Sequence, residues 1–191
     1  MGHAQENIIF PINDLFKIAG FGTMASGKLV SGILKPGMDL EVKGRGEKTF
    51  TVTIGMIRKN NKEQTEAVRG DDVVIQLKSE DVSEIKMGMV ISTPGTLEST
   101  KIAEVTVDMS SEGGLTLPVK TNSSVQVIIY DRTEFATIVI KNGNDIKPGG
   151  KAEAILKFST PVAMSLNTIF QLKSGGKTIA TGSVTKILKP E

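Results

Sequence analysis

A chain of 191 residues that is 39% hydrophobic yet only 4% aromatic, with twenty glycines and seven prolines, has room for one large core or two small ones and favours turn-rich strands of Val, Ile and Leu over a helical bundle. The absence of cysteine excludes a disulfide framework, a thiolate nucleophile and Cys-ligated zinc, and fits a reducing, cytoplasmic setting. The net charge is only +2, with twelve basic against twelve acidic residues over 1–96 and eleven against nine over 97–191; this excludes the strongly basic surface of a nonspecific nucleic-acid binder, predicts no DNA partner, and leaves any RNA contact to a few placed cations.

From the N-terminus, the first informative stretch is LFKIAGFGTMASGKLVSGILKPGMDLEV, residues 15–42. It joins a β-rich run, a Gly-Thr turn, a basic residue and a Pro-Gly hairpin. Phe50, Val52, Ile54 and Met56 then alternate with Thr51, Thr53 and Gly55, and Val73, Ile75 and Leu77 repeat the pattern. One short helical turn is expected near Asp81 to Ile85. The small, polar segment Ser92-Thr93-Pro94-Gly95-Thr96 follows a strand at Met89–Ile91 and marks a boundary, giving domains over 1–96 and 97–191. Beyond it Ala103, Val105, Val107 and Met109 alternate, as do Ala152, Ala154, Leu156 and Phe158. Period-two alternation over so many segments predicts antiparallel sheet with one buried face. Lys35-Pro36-Gly37 and Lys147-Pro148-Gly149 set Pro and Gly as a type II turn wants; their flanks differ, so they read as one turn chemistry used twice. The expected fold is all-β, two closed or nearly closed antiparallel β-barrels in tandem, because closure removes exposed edges. No apolar run approaches the ~20 residues that span a bilayer, and no secretion signal opens the chain, so no membrane partner is expected.

Residues 15–42 resemble the opening of the second domain of elongation factor Tu and its relatives. TVTIGMIRKNNKEQTEAVRGDDVVIQL resembles the part of that domain where a strand ends in a basic residue and an Ala-x-x-Gly-Asp turn leads onward, and IKMGMVISTPG is similar to its exit. IKPGGKAEAILKFSTPVAM and FQLKSGGKTIATGSVTKIL resemble most of the third domain. The match runs in order over nearly the whole chain and narrows the group to elongation factor Tu, elongation factor 1-alpha, the selenocysteine-specific factor and close relatives. The GxxxxGK[ST], DxxG and NKxD motifs that bind GTP are missing, and GFGTMASGK and SGGK have the wrong spacing. The chain is therefore not expected to be a GTPase, or any enzyme, on its own, and no cofactor is expected. It reads either as an excised part of a three-domain factor, which its Met1-Gly2-His3 start favours, or as a natural protein lacking the first domain. His3 is the only histidine, so neither a Ser-His-Asp triad nor a His-rich metal site is expected. Asp71-Asp72, following Gly70, reads as a hairpin turn rather than a catalytic carboxylate pair.

What the resemblance implies is a protein of translation, with aminoacyl-tRNA, the ribosome and a GTPase domain of the same or a separate chain as partners. The second-domain barrel would accept the aminoacylated 3′ end of tRNA through Asp14, Phe16, Phe21, Ser26, Arg58 and Asp72. Arg58 is the foremost of these, because a guanidinium at a strand end can meet a phosphate or a ribose with several donors. Phe16 alternates with Ile18 and is expected in the core, whereas Phe21, beside two glycines, is expected at the surface. The third-domain barrel would grip the T stem through Gln126 and the turn Gly175-Gly176-Lys177-Thr178. The chain departs from the family's pattern at Gly55, Phe21, Phe135, Thr160 and Ser174. The other function class is a protein-interaction module, in which the barrels dock a GTPase domain, an exchange factor or the ribosome with no tRNA contact of their own.

Overall fold

The computed structural model describes residues 6–109 and 117–189; His3 lies outside them. The chain divides into two compact units, Met1–Glu98 and Ser99–Glu191. Among the described residues the only helical piece is one 3-10 turn, Val82–Glu84, closed by the Glu84 N–H on the Asp81 carbonyl at 2.9 Å, where a short turn is predicted.

The first unit contains β1 (Ile9–Pro11), β2 (Asp14–Ile18), β3 (Gly22–Lys28), β4 (Ile33–Leu34), β5 (Asp39–Lys43), β6 (Phe50–Lys59), β7 (Lys62–Gln64), β8 (Ala67–Val68), β9 (Asp72–Lys78) and β10 (Val90–Ser92). The main sheet runs β1-β10-β5-β6-β9-β3-β2 with β7 hung on β6, while β4 and β8 pair separately. The sheet curls until its first strand meets the chain leaving β3. There the Ile9 N–H donates to the Ser31 carbonyl at 3.2 Å and the Val30 N–H to the Ile9 carbonyl at 2.9 Å. This is the nearly closed barrel that the alternation predicts. Phe10, Ile12, Leu29, Leu34, Ile75 and Ile91 fill its interior, and apolar burial of this kind supplies the main favourable term in folding. Pro36 and Gly37 turn the chain into β5 with a Gly37 φ of 87°, the left-handed backbone that a type II turn requires.

One register differs from the sequence reading. Phe50, Val52 and Ile54 are buried as expected, but Met56 is not, and Ile57 takes its place at 0% exposure. The pairing of β6 with β9 slips between Ile54 and Ile57. An extra residue at a β-bulge reverses the alternation beyond it, so Arg58 faces outward.

The boundary segment is held to the first unit. The Glu41 carboxylate accepts the Gly95 N–H at 3.1 Å and pairs with the Lys43 ammonium at 3.1 Å, and Lys43 donates to the Leu97 carbonyl at 2.8 Å. These bonds explain why the unit runs on to Glu98.

The second unit is built from β11 (Glu98–Met109), which starts at the last residue of the first unit, β12 (Ser123–Ile129), β13 (Arg132–Ile140), β14 (Lys151–Met164), β15 (Ile169–Ser174) and β16 (Lys177–Leu188). They form a closed barrel in the order β11-β14-β13-β12-β15-β16, sealed by pairing of β16 with β11. Val127, Ile138, Ala154, Met164, Phe170 and Leu172 lie inside with almost no exposure. Gly182 is required there: a Cβ would come within 2.4 Å of both the Phe170 ring and the Thr106 carbonyl oxygen.

Candidate functional site

Strand register aligns the outward side chains of the first unit in rows. Asp14 on β2 pairs with Ser26 on β3, Ser26 with Val74 on β9, Val74 with Arg58 on β6, and Arg58 with Glu63 on β7. Directly paired residues share a sheet face, so this row crosses five strands on the outer surface. A second row is Phe16, Met24 and Gln76, and at the far end Lys28 pairs with Asp72. Between the rows lies an open groove of about 370 Å³, walled by Phe16, Ile18, Met24, Val74 and Gly27 and edged by Asn13, Ser26, Arg58, Asn60, Asn61 and Asp72. It brings together four of the six residues singled out in this unit: Phe16, Ser26, Arg58 and Asp72. Asp14 heads the first row without lining the groove, and Phe21 sits at the tip of the β2–β3 hairpin, 40% exposed.

Phe16 corrects an expectation. It is not core but 37% exposed, because the interior face of β2 belongs to Leu15, which packs against the core. Met24, paired with Phe16, is 1% exposed yet outside the interior cluster; it is covered on the outer face, as the apolar floor of the groove.

Arg58 is positioned by the hairpin that follows it. Asn60 and Asn61 adopt φ of 51° and 62°, the left-handed pair of a two-residue hairpin turn that Asn tolerates well. The Arg58 guanidinium donates from Nη2 to the Asn61 carbonyl at 3.0 Å. A guanidinium carries five N–H donors, so this anchor leaves others for a ligand. Lys59 points to the other face and pairs with Asp71 at 2.5 Å. That bond, with a second from the Val68 N–H, holds the Asp71 carboxyl below its ordinary value. Asp71 thus fastens the turn after β8, as the hairpin reading expects, and Asp72 is left at the groove edge.

Gly55 is buried in the bulge, and Gln76 takes the space beside it. The Gln76 Nε2 donates to the Phe21 carbonyl at 2.7 Å, and its Oε1 accepts the Met56 N–H at 3.2 Å. Sequence reasoning missed Gln76, Met24, Asn13 and the Asn60-Asn61 pair. Only the Asn pair, two turn-formers between β-runs, carried a local signal.

In the second unit, Phe135, Gln126, Lys173 and Thr178 form one outward row across β13, β12, β15 and β16. The Thr178 hydroxyl lies 3.4 Å from the Gln171 carboxamide oxygen, and Phe135 is 54% exposed. Ser174 pairs with Lys177 around Gly175 and Gly176, whose φ of 56° and 78° make the tight hairpin that the sequence suggests. Beside it an open depression of about 510 Å³ is lined by Lys120, Lys173, Lys177, Ser123, Ser124 and Ser174, with Leu117 and Ile179 as apolar contacts and, among the described residues, no carboxylate in its wall. Lys177 lines it; Gln126, Gly175, Gly176 and Thr178 flank it. Thr160 lies on β14, off this row. Among the described residues no group of His, Cys, Asp or Glu could hold a metal ion, and no helix is long and apolar enough to cross a membrane.

The family model of elongation factor Tu domain 2 matches residues 22–92, and that of the elongation factor Tu C-terminal domain matches residues 96–188. The two matches follow one another in the order of the two sheet units, and between them take in β3 through β16. The chain belongs to the elongation factor Tu family, as its second and C-terminal domains.

Proposed function

We propose that this chain is the tRNA-holding, non-catalytic part of a translation factor of the elongation factor Tu type. The outer groove of the first unit receives the aminoacylated 3′ end of tRNA, and the Gln126–Thr178 row with the Gly175-Gly176 turn meets the T stem. GTP hydrolysis belongs to a GTPase domain of the same or a separate chain. The observation that carries this reading is the convergence of Phe16, Ser26, Arg58 and Asp72 on one groove, although they come from four strands spread over 57 positions of sequence (72 − 16 + 1). The groove has the right chemistry: an exposed Phe ring and a Met floor for stacking an unpaired base, and Arg58, Ser26 and the Asn side chains for ribose and phosphate oxygens. The lysine-lined depression of the second unit offers positive charge and hydroxyl donors suited to phosphate oxygens.

Filter binding of the chain, together with a separately supplied GTPase domain, to charged and uncharged tRNA tests this. Preference for the charged form supports it. Retention of neither moves the reading to a protein-docking module for a GTPase domain, an exchange factor or the ribosome, and equal retention of both overturns the placing of the aminoacylated end in the groove. The exposed apolar residues Leu166 (58%) and Ile169 (67%) of the second unit are what would serve that second reading.

A further inference from the structure

We propose that Gln76 is a positioning residue for the groove, acting as a cross-brace that the absent side chain at Gly55 makes possible; this rests on the groove being the acceptor-end site. Gln76 stands on the outer face of β9, next to Met24. Its carboxamide reaches in two directions, donating to the Phe21 carbonyl at the hairpin tip and accepting the Met56 N–H at the bulge of β6. One planar group thus ties together two segments that no ladder bond joins. The pairing of β3 with β9 extends only to Thr23 opposite Leu77, and that of β2 with β3 to Ile18 opposite Gly22, so Phe21 lies beyond the last rung. A second bond at the tip, from the Phe21 N–H to the Ile18 carbonyl at 3.0 Å, is internal to the hairpin.

The geometry at Gly55 sets the condition. A Cβ there would lie 2.3 Å from the Gln76 Oε1 and 2.9 Å from its Cδ, so any other residue would displace the carboxamide. The carboxamide supplies a donor and an acceptor on separate atoms, one for each segment: Glu keeps the acceptor and loses the donor, and Ala loses both. The braced hairpin carries Phe16, Ile18, Met24 and Ser26, which make one whole side of the groove. Gln76 does not line the groove and acts through that hairpin.

The test uses Gln76→Ala, Gln76→Glu, Gly55→Ala and the Gly55→Ala/Gln76→Ala double variant, with two readouts. Amide hydrogen exchange at Phe21 reports the tip, and Ala25 and Val74 report the centre of the sheet. NMR titration with an aminoacylated, CCA-ended RNA minihelix reports binding. Each single variant is expected to speed Phe21 exchange and to weaken minihelix binding by up to about tenfold, the effect of one net hydrogen bond. Ala25 and Val74 should remain protected, and the double variant should match Gln76→Ala, because both changes break the same brace. Unchanged Phe21 exchange in Gln76→Ala, or additive effects in the double variant, overturns the brace. Faster exchange with unaltered minihelix affinity overturns its positioning role. A parent chain that does not bind the minihelix sinks the acceptor-end reading instead, while the exchange arm still decides the brace.

Discussion

The two units answer the same demand, a β-barrel presenting an outer face, with different surfaces. The first is a curled sheet with a bulge and a two-residue hairpin at β6–β7, and these irregularities turn Arg58 outward and open a mixed groove of apolar walls and polar edges. The second is a closed barrel carrying a cross-strand row and a glycine hairpin beside three lysines, with register shifts of its own between Glu104 and Val105 and between Leu172 and Lys173. The difference lies in the lining: the first depression sets an exposed Phe ring and a Met floor beside mixed polar groups, whereas the second is lined by lysines and serines. The proposed function accordingly gives specificity to the first unit and phosphate attraction to the second.

The strongest way to break this comparison is to destroy one surface and watch the other. Phe170→Ala removes a fully buried ring from the second barrel and should cost about 3–5 kcal/mol of that unit's stability, read by urea denaturation. Resonances of the first unit's groove residues should stay in place; their collapse would show that the two surfaces do not stand separately. Next in size is Arg58→Ala, expected to weaken aminoacyl-tRNA binding by roughly 1.5–3 kcal/mol in the presence of the GTPase domain, the range for a hydrogen bond to a charged group. Lys59→Ala, on the opposite face and engaged with Asp71, should weaken it less.

Lys173→Ala and Lys177→Ala sharpen the contrast. If the second unit meets only phosphates, each should weaken charged and uncharged tRNA alike and lower the slope of log affinity against log salt by about one. A change in the preference for charged tRNA would contradict the division of roles. The smallest effect concerns acid. Glu41 in the first unit is held below its usual value of 4.5, chiefly by the Gly95 N–H and then by Lys43, against the opposing effect of burial. A carboxyl whose folded pKa is depressed contributes stability above its unfolded pKa and loses it as pH falls through the folded value. Melting of the parent should therefore drop more than that of Glu41→Gln between about pH 5 and pH 3, and parallel curves would sink the clasp on Gly95.

Much of the fold was legible because strand alternation and Pro-Gly turns are local signals. Phe50, Val52 and Ile54 turn inward as their spacing dictates, and the Val82–Glu84 turn and the Gly175-Gly176 hairpin stand where the residues place them. The inversion at Met56 and Ile57 went unread: Gly55 within the run is a bulge signal, but the register slip itself is set by the partner strand. Phe16 misled for a related reason: alternation says which residues share a face, not which face is the interior. Arg58, Ser26 and Asp72 could be named from the family pattern, but their neighbours in the groove could not. Met24 becomes the floor through its pairing with Phe16, and Gln76, outside the groove, reaches the hairpin tip over a glycine on another strand.

The most direct test of the central claim is to map where the acceptor end lies, by NMR titration of this chain with an aminoacylated, CCA-ended RNA minihelix. Without the GTPase domain binding should be weak and salt-sensitive, since part of the preorganised surface is missing, which suits a shift-based measurement. The account predicts that the largest shifts fall on Phe16, Ser26, Arg58 and Asp72, and that they shrink when the minihelix is deacylated. Shifts confined to the second unit, or identical with and without the amino acid, would contradict it.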